Sequence, residues 1–320
     1  MSEIDTRLRL LATSDEAKLL EEFLEDCKLR GMTSETIRGY MSNLRIFLLF
    51  LQDKKLSIQE VDKKILRLFL EYLKKDRGVS FKRCENYFSS LSSFFEYLNY
   101  EDILTQNPVL SVRKRYLRTY KNGRRSESNR KLISVEEMSG LINSIPITRD
   151  KAILTLLAKT GIRRGEFAKI DLDDINWVNQ SIKLKPVAKR SNRLVFFDDE
   201  CDRILKRWLA IRNKLDLTTK AIFVGERSNR IYRTTIYTIV VKWATRAGLH
   251  NPDSKMLEDH FSPHCCRHWF TTHLRRAGMS REFIKELRGD TRGDAIDIYD
   301  RIDEEELRRS YLANIPQLGL

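Results

Sequence analysis

One stretch of this chain lacks the apolar residues to fold by itself, and it fixes how the rest is organised. From Arg113 to Lys131 there are nine basic residues (Arg113, Lys114, Arg115, Arg118, Lys121, Arg124, Arg125, Arg130 and Lys131) against a single acid, Glu127. A segment this charged buries too little surface to offset the entropy of ordering it, so it reads as a solvated strap. That divides the 320 residues into a first domain at 1–112, a linker at 113–131 and a second domain at 132–320. The strap also holds over half of the net charge of +14. A surplus of that size favours a polyanionic partner, because each basic group set beside a phosphate releases a condensed counterion. Arg113, Lys114, Arg115, Arg118, Lys121, Arg124 and Arg125 are the candidate contacts to double-stranded DNA. A basic chain that binds no polyanion has the same composition.

Before the strap the pattern is helical. Leu20, Phe23, Leu24 and Cys27 keep spacings of three and four and stop before Gly31. Ser34 can cap a second helix bearing Ile37, Tyr40, Met41, Leu44, Phe47, Leu48 and Leu51. A third runs from about Asp62 through Ile65, Phe69, Tyr72 and Leu73, and a fourth carries Phe81, Cys84, Phe88, Leu91, Phe95 and Leu98. Such spacings predict a helical bundle, ended at Asn107-Pro108. After the strap, Ser134 and Glu137 form a capping-box pattern. A helix over Asp150–Lys159 ends at Gly161, and Ile182, Leu184 and the run Leu194–Phe197 predict a β-hairpin. The fold class is therefore mainly α with a small antiparallel sheet.

The five cysteines (Cys27, Cys84, Cys201, Cys265 and Cys266) are odd in number and form no CxxC pair. With no leader read at the N-terminus, reduced thiols in a cytoplasmic setting are expected. No apolar run approaches the length of a membrane span.

Two short stretches carry chemistry. Ser262-Pro263 opens a helix, since proline suits the first turn. At about 3.6 residues per turn, His264, Arg267, Thr271 and Arg275 share one face of it. An imidazole and a guanidinium side by side suit a phosphate: arginine binds its oxygens in two-pronged fashion, and histidine donates or moves a proton. Zinc is the rival for His264 and His268, although the cysteines between them point to different sides of a helix and no second ligand cluster follows. The other stretch is Thr160-Gly161-Ile162-Arg163-Arg164-Gly165-Glu166, a glycine turn into a helix start. Arg163 lies where backbone N–H groups also favour an anion, and Glu166 stands ready to orient an arginine. Alone, it is a helix junction with an ion pair.

Together these stretches resemble tyrosine recombinases. Thr160–Glu166 is similar to their TGxRxxE motif, His264–Arg267 to HxxR, and Leu287–Tyr299 to the closing motif, with Tyr299 lying 32 residues after Arg267. The resemblance implies an N-terminal SAM-like core-binding domain and an α+β catalytic domain that cuts and rejoins DNA without metal, nucleotide or other cofactor. It implies Tyr299 as the nucleophile that forms a 3′-phosphotyrosine, Arg163 and Arg267 as a phosphate clamp, His264 as phosphate donor or proton relay, and Glu166 as an orienting residue. A hairpin lysine is the general acid in this family. Lys189 is the first candidate and Lys185 the second, because the loop is about one residue shorter than the common pattern. The stretches Lys189–Glu200 and Leu287–Tyr299 look like integrases of archaeal viruses and plasmids.

One position departs from the pattern. Nine residues before the tyrosine, where the family has histidine or tryptophan, stands Asp290. An ionised carboxylate cannot donate to a phosphate and repels it; the expectation is that it holds an arginine or a backbone N–H, with Arg288 or Arg292 supplying the missing donor. Beyond Tyr299, Asp303 can cap a helix over Glu304–Leu312. The apolar residues Ile315, Leu318 and Leu320 then suggest a docking tail. By resemblance that tail is exchanged between subunits of a DNA-bound tetramer, with accessory DNA-binding proteins as further partners. A type IB topoisomerase or telomere resolvase shares the chemistry, and a non-catalytic DNA-binding regulator is the alternative from another class.

Overall fold

A computed structural model describes residues 14–118, 131–186, 193–225, 228–254, 256–290 and 302–320. The chain forms two compact units, Met1–Arg124 and Arg125–Leu320.

The first unit is helical: α1 (Ser14–Leu29), α2 (Ser34–Asp53), α3 (Lys63–Glu71), α4 (Phe81–Tyr100) and α5 (Pro108–Tyr116). Thr33, rather than Ser34, caps α2 by accepting from the Thr36 amide. Its core is aromatic. Phe47 meets Phe69 edge-on with ring centroids 4.9 Å apart, and Phe23 meets Phe94 at 5.2 Å. The helix α5 was not expected from the sequence. Asn107-Pro108 reads as a breaker, but the Asn107 side chain caps the Val109 amide and proline occupies the first turn, where its missing N–H costs nothing. Val109, Val112 and Leu117 are buried in the bundle core. The basic run thus begins inside this helix: Arg113, Lys114 and Arg115 lie on its last turn.

The second unit centres on α7 (Thr148–Thr160), which is buried from Ala152 to Thr160. A helix apolar on nearly every side must be enclosed. Around it pack α6 (Val135–Asn143), α9 (Asp199–Arg212), α10 (Arg233–Arg246) and α11 (Pro263–Arg276). The Ser134–Glu137 capping box forms as expected. The hairpin is part of a three-stranded antiparallel sheet in the order β1 (Ile175–Asn176), β2 (Ser181–Leu184), β3 (Arg193–Phe196). Leu184 pairs with Arg193 and Ile182 with Val195, so these four share one face, and all are buried. The short helix α8 (Arg164–Phe167) follows α7, α12 (Arg281–Arg288) follows α11, and α13 (Glu304–Asn314) leads into the tail. Tail residues Ile315 and Leu318 are buried in this unit's own core.

Candidate active site

The site begins where α7 stops. Gly161 takes a left-handed conformation, φ 58°, and a Cβ there would come within 2.4 Å of the Phe270 ring of α11. Only glycine allows both the turn and that approach. The Gly161 carbonyl accepts from Arg267 Nη1 at 2.8 Å, so the turn that launches Arg163 also holds the second arginine. Arg163 is the N-cap of α8, and Glu166 Oε2 accepts from its amide at 2.9 Å.

On α11, Cys265, Cys266, Trp269 and Phe270 are buried and anchor the helix, while His264 and His268 are exposed. The two cysteines therefore face away from the two histidines. Among the described residues no three His, Cys, Asp or Glu side chains gather as metal ligands. The Ser262 hydroxyl does not cap the helix. His264, Arg267, His268, Thr271, Thr272, Arg275 and Arg288 line a cavity of about 340 Å³.

Arg267 is only 3% exposed. Its Nη2 donates to the Arg288 carbonyl at 2.8 Å and to Asp290 Oδ1 at 3.2 Å. Arg163 arrives from the other side: Nη1 donates to the same Arg288 carbonyl at 2.9 Å, and Nη2 to the same Asp290 oxygen at 3.1 Å. Asp290 Oδ2 lies 3.0 Å from Arg288 Nε. Two arginines separated by over a hundred residues of sequence therefore converge on one carboxylate oxygen. Burial first, and then the neighbouring guanidiniums of Arg163 and Arg288, push Arg267 down to about 9, which still leaves it a cation at neutral pH.

Sequence reasoning missed Arg193. Its guanidinium, buried on β3, grips Glu166 with both prongs at 2.9 and 3.1 Å, and its Nε donates to the Leu287 carbonyl at 3.0 Å. Burial alone would raise the Glu166 carboxyl, but the bonds and charge of Arg193, aided by Arg163, hold it below 4.5. Arg193 thus ties the sheet to the Arg163 turn and to the end of α12. Gly289, φ 58°, passes directly over it, and a Cβ there would come within 2.5 Å of the guanidinium. The available signal was a charge on the inward face of a strand opposite a motif glutamate that needs a partner.

Among the described residues, Arg163, Arg193, Arg267 and Arg288 form one cluster with Glu166 and Asp290. Lys185 is not part of it. It pairs with Asp171 and, at 3.2 Å, with Asp174; burial alone would lower it, but these bonds raise it above 10.5 and make it a poorer proton donor. Tyr299, Lys189, Arg292, Lys121, Arg124 and Arg125 lie outside the described residues.

A helical unit, a second unit with a small sheet, and an arginine-rich site are those of a site-specific DNA recombinase. Residues 131–306 match the phage integrase family and residues 19–104 the N-terminal SAM-like domain of phage integrases; the chain belongs to that family and is a tyrosine recombinase, an enzyme that breaks and rejoins DNA. It is 29% identical over 305 residues to tyrosine recombinase XerC of Thermodesulfovibrio yellowstonii, covering 91% of this chain and 94% of that protein. Tyrosine recombinase XerD of Staphylococcus epidermidis is 23% identical over 303 residues, covering 92% and 97%. In fold it is similar to XerH recombinase in a post-cleavage complex with palindromic difH (TM-score 0.65, 18% identity, 96% and 92% covered). It is equally similar to a lambda integrase dimer bound to a COC′ core site (TM-score 0.65, 17% identity, 90% and 98% covered). These relatives favour the recombinase over a regulator or a topoisomerase.

Proposed function

We propose that this recombinase cleaves double-stranded DNA with Tyr299 as nucleophile and Arg163 and Arg267 as the clamp on the scissile phosphate. The observation that carries this reading is the convergence of the two guanidiniums on one anionic oxygen, at 3.1 and 3.2 Å, beside a groove that His264 lines. Attack on a phosphodiester builds charge on its non-bridging oxygens, and fixed donors aimed there lower the barrier. A phenol, with a pKa of about 10, needs help to lose its proton; His264 receives it or donates to the phosphate. The Tyr299 oxygen bonds to phosphorus, the bond to the 5′-oxygen breaks, and Lys189 protonates the departing oxygen. The 3′-phosphotyrosine conserves the broken bond, so a 5′-hydroxyl reseals the strand without a cofactor. Glu166 and Arg193 position Arg163.

The domain boundaries proposed are 1–112, 113–131 and 132–320, the linker's first residues being the last turn of α5, with Arg113, Lys114, Arg115, Arg118, Lys121, Arg124 and Arg125 following the DNA backbone. The working form is an oligomer on DNA, a tetramer in which the tail now docked on its own unit passes to a neighbour, with accessory DNA-binding proteins as further partners. Among the described residues no helix is long and apolar enough to cross a membrane, and a DNA-associated place in the cytoplasm fits the reading.

A pool of nicked duplexes of randomised sequence tests it. Covalent complexes recovered under denaturing conditions should appear with the parent and vanish with Tyr299→Phe, and peptide mapping should find the nucleotide on Tyr299. An adduct that persists in Tyr299→Phe, or one carried by Tyr311, would contradict the assignment.

A further inference from the structure

Asp290 stands on the reactive face of the clamp, and its geometry assigns it work there. We infer that Asp290 is a positioning residue: an internal anion that holds Arg163 and Arg267 together before DNA binds, and that the scissile phosphate displaces. The inference rests on the proposed phosphate-clamp role of those two arginines.

The two guanidiniums reach the site from separate elements, and Arg288 adds a third cation. Left alone they repel one another, and with Arg267 almost fully buried water screens that repulsion poorly. Asp290 answers all three at once: Oδ1 accepts from Arg163 at 3.1 Å and from Arg267 at 3.2 Å, while Oδ2 faces Arg288 at 3.0 Å. Among the described residues, charged groups packed beside these are Arg193, beneath Gly289, and Glu166, which Arg193 grips with both prongs.

A carboxylate in that place cannot share it with a phosphate. Both are anions, both need the inner Nη2 donors, and an ionised carboxylate has no hydrogen to offer a phosphate oxygen. The carboxylate gives the two Nη2 donors a single shared oxygen, whereas a phosphodiester brings two non-bridging oxygens for two-pronged binding. The exchange therefore favours the phosphate once the duplex delivers it. Asp290 also has somewhere to go: its side chain is 30% exposed, and it follows Gly289, whose left-handed backbone is a natural pivot. The consequence for the reaction is selectivity. A small anion must compete with Asp290 unaided, while a scissile phosphate competes with the rest of the bound duplex behind it.

The test is sulfate binding to the full chain, read from the rise of Tm with sulfate while chloride holds ionic strength constant. It is measured in the parent, in Asp290→Asn, and in both with Arg163→Ala added. Removing the competing carboxylate should lower the apparent Kd for sulfate about tenfold, the scale of one charge-assisted contact at a part-exposed position. A residue that only supported the fold would weaken binding instead. Arg163→Ala should remove the sulfate response in either background. A response that depends on Arg163 but is no stronger in Asp290→Asn overturns the role of Asp290 and leaves the clamp reading standing. A gain that survives Arg163→Ala puts the anion elsewhere and removes both. Asp290→Ala repeats the measurement should the asparagine variant not fold. Failure of both variants to fold also overturns the inference, because the fold should not depend on an anion that DNA displaces.

Discussion

Two buried charge clusters of the second unit are built in opposite ways. At the end of α7, the Lys159 ammonium is fully enclosed and spends its three hydrogens on Asp198 at 2.5 Å, Glu200 at 2.6 Å and the Pro316 carbonyl at 2.8 Å. The carboxylates are closed from the other side by the tail: the Leu318 and Leu320 amides reach Glu200 at 2.8 and 3.1 Å, and Gln317 reaches Asp198 at 3.2 Å. Tyr311 completes the enclosure by donating to the Lys159 carbonyl at 2.8 Å. In the arginine cluster, by contrast, the described residues set four guanidiniums around Glu166 and Asp290 beside an open groove. The first cluster is saturated and sealed, and its work is to fasten the tail. The second is rich in guanidiniums and reachable, with the Arg163 and Asp290 side chains part-exposed, which is the condition for recognising an anion. Burial of charge is common to both; what separates them is that the first is sealed by the tail and the second opens on a groove.

The largest effect is expected at Lys159. Lys159→Met should leave Asp198 and Glu200 buried without their cation and cost roughly 3–5 kcal/mol in urea unfolding. Sulfate binding by the folded fraction should stay at the parental value. A loss of sulfate binding equal to that of Arg163→Ala would erase the distinction between the clusters.

Arg193→Met sharpens it, because Arg193 belongs to the open cluster but is itself enclosed. The loss should be roughly 3 kcal/mol of stability, accompanied by slower DNA cleavage through a misplaced Arg163. The pH dependence has a definite sign. Glu166 is held below its usual 4.5, so its contribution is complete above 4.5 and is lost as pH falls through the lower folded value. In Arg193→Met that protection is gone, and acid unfolding should begin at higher pH than in the parent. An unchanged acid midpoint would show that Arg193 does not hold Glu166 ionised.

The smallest effect belongs to Lys185, whose side chain is 41% exposed. Solvent screens its pairing with Asp171 and Asp174, so Lys185→Ala should cost less than about 1 kcal/mol. Its raised pKa confines any pH effect to the alkaline side: the contribution is present below 10.5 and fades as pH rises through the higher folded value. DNA cleavage should change by less than about twofold; a loss near a hundredfold, the scale of a lost proton donor, would move the general acid from Lys189 to Lys185.

Much of this was legible in the sequence, and the misses have physical causes. The helices of both units follow from spacings of three and four, and Gly161 marked its turn because a left-handed end admits little else. Helix α5 escaped because an Asn-Pro pair ends one helix as readily as it starts another; only the burial of Val109 and Val112 decides between the two. In the site, Arg163 and Arg267 were marked by the resemblance of their two motifs taken together, since the Arg163 stretch alone reads as a helix junction. Arg193 has no such mark, for an arginine on a strand looks like a surface residue until the register turns it inward. That Asp290 departs from the pattern and holds an arginine or a backbone N–H could be read in the sequence; that the arginines are Arg163 and Arg267 could not, because they come from distant segments. The tail's apolar residues announced docking, but the anchor on Lys159 and Glu200 is a tertiary fact.

The most direct test of the account replaces the scissile phosphate with a methylphosphonate in the DNA site recovered from the covalent complexes. That change removes one charged non-bridging oxygen and with it much of the need for the clamp. Arg267→Ala should slow cleavage of the natural phosphodiester by about a hundredfold or more, the usual loss for one donor to a developing oxyanion. On the methylphosphonate the same variant should fall behind the parent by less than about tenfold. Equal losses on the two substrates would mean that Arg267 does not act on the phosphate's charge.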